Sequence, residues 1–178
     1  QGQRNQPPAR RPLPDIARIV ARARSSPPND VEQRSAQIAQ QEGLDKGDEL
    51  VATALVKEAD DVILVSRRGQ AVRFCADKLR LASRTSGGVR GIRLAHGDNL
   101  ISMDVVIPDA YLLTVTANGF GKLTQVFRFP CHSRGTLGVR AHMVTPKTGE
   151  VTAARVVNPD QELMIMSAAG VGIRTSVE

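Results

Sequence analysis

From residue 47 onward, apolar and polar positions alternate in short runs, and β-branched residues fill many of the apolar positions. A period of two places every second side chain on one face of an extended chain, so these runs predict half-buried strands. The clearest pair is AYLLTVT (110–116) and GKLTQVF (121–127), set around Asn118-Gly119. Such a step between alternating runs predicts a tight hairpin with positive φ at both central positions of a type I′ turn. DVILVS, Arg68-Gly69 and QAVRF give the same arrangement upstream, and ELMIMS, Ala169-Gly170 and VGIRT give it downstream. A strand is predicted before each hairpin, in LVATALV (50–56), LISMDVV (100–106) and VTAARVV (151–157). After the first two hairpins a basic loop leads to a fourth short strand, VRGIRL (89–94) or VRAHMV (139–144).

The runs are copies of one unit. A shift of 50 pairs Gly47, Asp48, Leu50, Val56, Val65 and Gly69 with Gly97, Asp98, Leu100, Val106, Val115 and Gly119, without a gap. The same shift pairs Ser83, Arg84, Gly88, Val89 and Arg90 with Ser133, Arg134, Gly138, Val139 and Arg140. At a shift of 51, Val105, Val106, Pro108, Asp109, Leu112, Gly119, Gly121 and Thr124 recur as Val156, Val157, Pro159, Asp160, Leu163, Gly170, Gly172 and Thr175. Four short strands per fifty residues predict an all-β propeller blade, a unit that cannot bury its faces alone. Residues 46–178 thus read as two complete blades and most of a third, with repeats at about 48–97, 98–148 and 149–178. The competing architecture, a β-sandwich of two similar halves, gives no reason for so regular a register.

Residues 1–45 break this pattern. They are rich in Pro, Gln, Arg and Ala, with Pro-Pro steps at 7–8 and 27–28 and 7 basic against 5 acidic residues. The segment is expected to be a tail or poorly packed linker. Ile16, Ile19, Val20 and Ala23 fall at helical spacing and predict a short amphipathic helix over 15–24, and a second weak helix is expected over about 29–41.

Charge changes the picture more than bulk composition does. The chain of 178 residues carries 24 Lys and Arg against 18 Asp and Glu, a net +6 that favours polyanionic partners. Eight bases (Arg67, Arg68, Arg73, Lys78, Arg80, Arg84, Arg90, Arg93) lie between 66 and 96 against one acid, Asp77. Five more (Lys122, Arg128, Arg134, Arg140, Lys147) lie between 119 and 147 with no acid. Acids gather in the first half of each repeat instead, at Asp48, Glu49, Glu58, Asp60 and Asp61, then Asp98, Asp104 and Asp109. In a circular array the basic halves would align as a stripe around the rim, suited to a duplex backbone rather than to base edges. Trp is absent and aromatics are 3%, too few for a binder that stacks unpaired bases.

Catalytic chemistry finds no support. Tyr111 lies in a strand run and reads as packing, while Cys131 and His132, adjacent on a strand, would point to opposite faces. Cys75 and Cys131 stand 56 positions apart with no second thiol nearby, which argues against a disulfide framework or a zinc module and for small buried or half-buried residues. His96, His132 and His142 lack metal-ligand spacing and read as surface residues. GFGKLT (119–124) lacks the frame of a phosphate-binding loop, so no ATP, metal or other cofactor is expected. No apolar run reaches the ~20 residues of a membrane span, and no secretory signal is visible, so an intracellular location is expected.

Several motifs in one order carry a family resemblance: SRTSGGVRGIRLAHGDNLISMDVV, LLTVTANGFGKLTQVF, SRGTLGVR, VTPKTGEV and ELMIMSAAGVGIRTSV. Over about residues 43–178 the chain resembles the C-terminal domain of the DNA gyrase A protein, a family of the type IIA topoisomerases. The resemblance implies later blades of a six-bladed β-pinwheel whose blades exchange strands and whose basic rim bends and wraps duplex DNA. Arg67, Arg68, Arg73, Lys78, Arg80, Arg84, Arg90, Arg93, Lys122, Arg128, Arg134, Arg140 and Arg174 are the expected DNA-binding residues. It also implies a bacterial, cytoplasmic, nucleoid-associated protein that works with the rest of gyrase A and with gyrase B, ATP-dependent as a parent enzyme but with no catalytic residue in this segment. A pinwheel of the topoisomerase IV type and a protein-interaction propeller are the alternatives, and two chains could close one ring as a homodimer. The family's first-blade wrapping box, of the form QRRGGxG, is absent; ASRTSGG (82–88) and HSRGTLG (132–138) are degenerate relatives of it. Leu123 stands where Arg73 and Arg174 would lead one to expect a rim charge.

Overall fold

A computed structural model of the chain describes residues 16–18, 49–79 and 88–177. Its strands are β1 (Ile16–Arg18), β2 (Asp61–Ser66), β3 (Gln70–Cys75), β4 (Arg90–Arg93), β5 (Leu100–Val105), β6 (Tyr111–Thr116), β7 (Gly121–Gln125), β8 (Val139–Arg140), β9 (Val151–Val157), β10 (Glu162–Met166) and β11 (Gly172–Ser176). All three sequence repeats give the hairpins expected of them, β2–β3, β6–β7 and β10–β11. Single 3-10 turns, Ala76–Lys78 and Val126–Arg128, follow the first two at equivalent positions. The second replaces the end of the run predicted as a strand through Phe127.

Each hairpin turns in the same way, but not as a type I′ turn. Gly69, Gly119 and Gly170 donate their N–H to the carbonyls of Ser66, Thr116 and Ser167, three residues back. They have φ near +80°, while Arg68, Asn118 and Ala169 do not have positive φ. This is the three-residue hairpin loop, in which glycine alone takes the left-handed conformation.

Blades are assembled from two repeats rather than one. The first sheet has the order β5-β2-β3-β8, so the hairpin of the first repeat is flanked by the first and fourth strands of the second. The second sheet, β7-β6-β9, takes its outer strand from the third repeat in the same register. A strand here exists through its ladder partner in the preceding unit, which explains the main departure from the expected elements. LVATALV (50–56) is not a strand, and among the described residues no hairpin precedes it. Of the run 139–144 only Val139–Arg140 is a strand. Ile16–Arg18, expected within a helix, pairs antiparallel with β4 instead; the second helix expected over 29–41 lies outside the described residues.

The core sits on both faces of β2, where Val62 to Val65 are each 1% exposed or less, giving a continuous apolar run rather than an alternating one. Val62 and Leu64 pack with Val72, Phe74 and Ile92 on one side, and Ile63 and Val65 with Ala71, Leu112, Phe129 and Ala154 on the other. Each such Val, Leu, Ile or Phe side chain contributes about 1.5–3 kcal/mol of burial. The second cluster joins the two blades, and polar contacts finish the seam. The Ser102 hydroxyl donates to the Ala154 carbonyl at 2.7 Å, and the Val156 N–H donates to Asp104 Oδ2 at 2.9 Å.

Candidate nucleic-acid interface

Strand exchange gathers basic residues that are remote in sequence. After the second 3-10 turn the chain crosses back onto the first blade, where the His132 N–H donates to the Arg73 carbonyl and the Gly135 N–H to the Gly91 carbonyl. At Gly138 the crossing is so close that a Cβ would overlap the Ala71 carbonyl, and its φ is +72°. This return places Arg134 against the first repeat: its Nη1 donates to the Arg90 carbonyl at 3.5 Å and its Nε to the Lys78 carbonyl at 3.4 Å. Arg90 and Arg93 bracket the buried pair Gly91-Ile92 on β4, and Arg140 ends β8. Lys78, Arg90, Arg93, Arg128, Arg134 and Arg140 are all exposed. None of the six pairs with an acid among the described residues. Arg80 and Arg84 lie outside the described residues.

Arg68, on the first hairpin turn, is also exposed without an acidic partner among the described residues, whereas the remaining predicted contacts are occupied. Arg73 reaches diagonally across the hairpin to Asp61 at 2.6 Å, with both side chains about one-fifth exposed, and its Nη1 also faces the Val126 and Phe129 carbonyls. Arg174 repeats that diagonal with Glu162. In the second blade the corresponding positions are Leu123 and Tyr111, so the missing base is matched by a missing acid. Leu123 therefore removes an ion pair, not a free rim charge. Arg67 pairs with Glu150 at 2.6 Å across the seam, and Lys122 donates to the Ala141 carbonyl at 3.1 Å. Lys147 lies 5.9 Å from the centre of the exposed Phe120 ring.

Some residues that organise the interface carry no charge-run signal. Asp98, 5% exposed, accepts the Ser66 hydroxyl and the Arg68 N–H and so fixes the first hairpin turn. His142, expected at the surface, is 6% exposed. Its Nδ1 is 2.8 Å from the Thr114 hydroxyl, and its backbone covers Gly69 so closely that a Cβ there would clash with the His142 carbonyl. Burial, with Lys122 adding to it, pushes the imidazole below its usual range. Cys75 is half-buried as expected, but Cys131 is exposed. Among the described residues no cluster of His, Cys, Asp or Glu could hold a metal, and no helix is long and apolar enough to cross a membrane.

The model of the DNA gyrase C-terminal domain, a beta-propeller, matches residues 60–107, 110–158 and 161–178, one stretch for each hairpin, the first two running on through the first strand of the next repeat. The chain belongs to this DNA gyrase C-terminal domain family. The DNA gyrase A protein of Dehalogenimonas lykanthroporepellens is 40% identical over 134 residues, 75% of this chain and 16% of that protein. The Salmonella typhimurium gyrase A protein is also 40% identical over 134 residues, 15% of its length. The chain thus spans about one-sixth of the relatives it matches. A solved DNA gyrase A C-terminal domain superimposes with a TM-score of 0.63 at 31% identity, covering 68% of this chain and 42% of that one. The C-terminal domain of DNA topoisomerase IV reaches 0.65 at 18% identity, a likeness of fold. In this chain β4, the return loop and β8 carry Arg90, Arg93, Arg134 and Arg140, none paired with an acid among the described residues.

Proposed function

We propose that this chain binds duplex DNA without sequence specificity along the edge formed by β4, the 131–138 return loop and β8, and that it bends the duplex as part of a gyrase A protein. The observation that carries this reading is the set Arg90, Arg93, Arg134 and Arg140, four exposed guanidinium groups with no acidic partner among the described residues, carried in a gyrase-family fold by β4, by the return loop hydrogen-bonded to it and by β8. Arginines on fixed backbone offer phosphate contacts at fixed spacing, and contacts to phosphate position a duplex without carrying sequence information. Lys78, at the end of the first 3-10 turn and bonded through its carbonyl to Arg134, extends the strip, and Arg128 repeats its position in the second blade.

Supercoiling would then be an activity of the parent enzyme, an ATP-dependent type II topoisomerase in which this segment works with the rest of gyrase A and with gyrase B in the bacterial cytoplasm. The segment contributes electrostatics and curvature, with no catalytic group and no cofactor of its own. Identity of 40% to gyrase A favours the gyrase role over the topoisomerase IV role. The test is charge reversal. Arg90→Glu, Arg134→Glu and Arg140→Glu together are expected to abolish duplex binding while cooperative thermal unfolding persists, and duplexes of scrambled sequence are expected to compete equally with one another. Unchanged affinity in the triple variant would overturn the reading in favour of a protein-interaction propeller.

A further inference from the structure

The first two hairpins are built alike but held differently. Beneath the first turn lies Asp98, a buried carboxylate whose Oδ2 accepts the Ser66 hydroxyl at 2.7 Å and whose Oδ1 accepts the N–H groups of Arg68 and Asn99 at 2.9 Å. All three donors are neutral, and no cation pairs with this carboxylate among the described residues. Burying a charge in that way is costly unless its hydrogen bonds are well made.

The second blade closes the equivalent turn with no carboxylate at all. Gly149 replaces Asp98 there, and the Asn118 side chain donates to the Lys147 carbonyl at 2.9 Å. A neutral amide thus suffices to close this kind of turn. What distinguishes the first turn is its cargo: Arg67 and Arg68 stand where the second turn has Ala117 and Asn118. Two like charges on adjacent turn positions repel, and two acids of the second and third repeats restrain them. Glu150 takes the Arg67 side chain at 2.6 Å, and Asp98 takes the Arg68 backbone. The Arg68 guanidinium is left exposed without an acidic partner among the described residues, its Nη2 lying beside Gly97.

We infer that Asp98 is a positioning residue for Arg68, and that it makes the first hairpin turn a phosphate contact separate from the β4–β8 strip. The inference rests on the duplex-binding reading above. Asp98 does not meet the nucleic acid; it fixes the backbone from which Arg68 does.

Binding of the 178-residue chain to a duplex of about 60 base pairs, measured over a series of salt concentrations, tests this. Each phosphate contact contributes about 0.9 to the slope of log affinity against log salt. Arg68→Gln is expected to lower the slope by about 1, Asp98→Asn to lower it by about the same amount, and the double variant to fall no further than Arg68→Gln alone. Ser102→Ala, which loses a seam hydrogen bond elsewhere, controls for stability and should melt earlier with its slope intact. An Asp98→Asn protein with the parental slope, or losses that add in the double variant, would overturn the positioning role. If Arg68→Gln has no effect while the Arg90, Arg134 and Arg140 reversal abolishes binding, this inference fails and the duplex reading stands. If neither set matters, the duplex reading itself fails.

Discussion

Single residues decide how the strands cross and how the seam responds to protons. At Gly138 a side chain would meet the Ala71 carbonyl, whereas at Gly119 no atom lies within 4 Å of the Cβ position, although both have positive φ. Gly119→Ala is expected to cost only the backbone strain of about 1–2 kcal/mol. Gly138→Ala should cost clearly more, because the return loop must move, and equal losses in urea denaturation would contradict the crossing described. His142 makes a second prediction. Its folded-state pKa lies below the unfolded value near 6.5, so its contribution is complete above that pH. As pH falls through it the unfolded chain takes the proton first, and stability is lost until the folded pKa is passed. His142→Gln is expected to flatten the fall in melting temperature as pH drops below about 6.5; an unchanged pH profile would exclude the seam histidine as its source. The three-fold glycine pattern of the hairpins was legible in the sequence, but His142 was not. Its burial comes from the β8 segment returning over Gly69, a contact remote in sequence.

At the level of strands, the repeat period located the hairpins and their flanking strands because β2, β6 and β10 share spacing and turn residues. It could not tell which hairpin each flanking strand joins. That depends on exchange between repeats, which also explains why 50–56 looks like β5 and β9 yet forms no strand. The Arg73–Asp61 diagonal was hidden for a related reason: a charge run shows bases, while their pairing depends on cross-strand register. The second blade supplies a natural experiment, since Tyr111 and Leu123 occupy the same diagonal. Arg73→Leu alone should destabilise by about 1–3 kcal/mol, leaving Asp61 without its cation. Adding Asp61→Tyr should recover part of that loss, as in a double-mutant cycle of contacting residues. Strictly additive losses in thermal unfolding would show that the two positions do not act as a pair.

Across the whole molecule, strand exchange and charge segregation combine. The basic second half of one repeat is laid on the hairpin of the repeat before it, so Arg134 comes beside Arg90 and Lys78 although 44 and 56 positions separate them. Of the described bases that the sequence pointed to, Arg67, Arg73 and Arg174 are held by acids and Lys122 by a carbonyl, which leaves a shorter strip than the charge count suggests. That strip is the central claim, and the salt dependence of duplex affinity probes it most directly. Replacing Arg90, Arg93, Arg134 and Arg140 by Gln is expected to lower the slope of log affinity against log salt by about 3–4, at about 0.9 per lost phosphate contact. Replacing Arg73 by Gln should leave the slope where it was. A quadruple variant that keeps the parental slope would contradict the account.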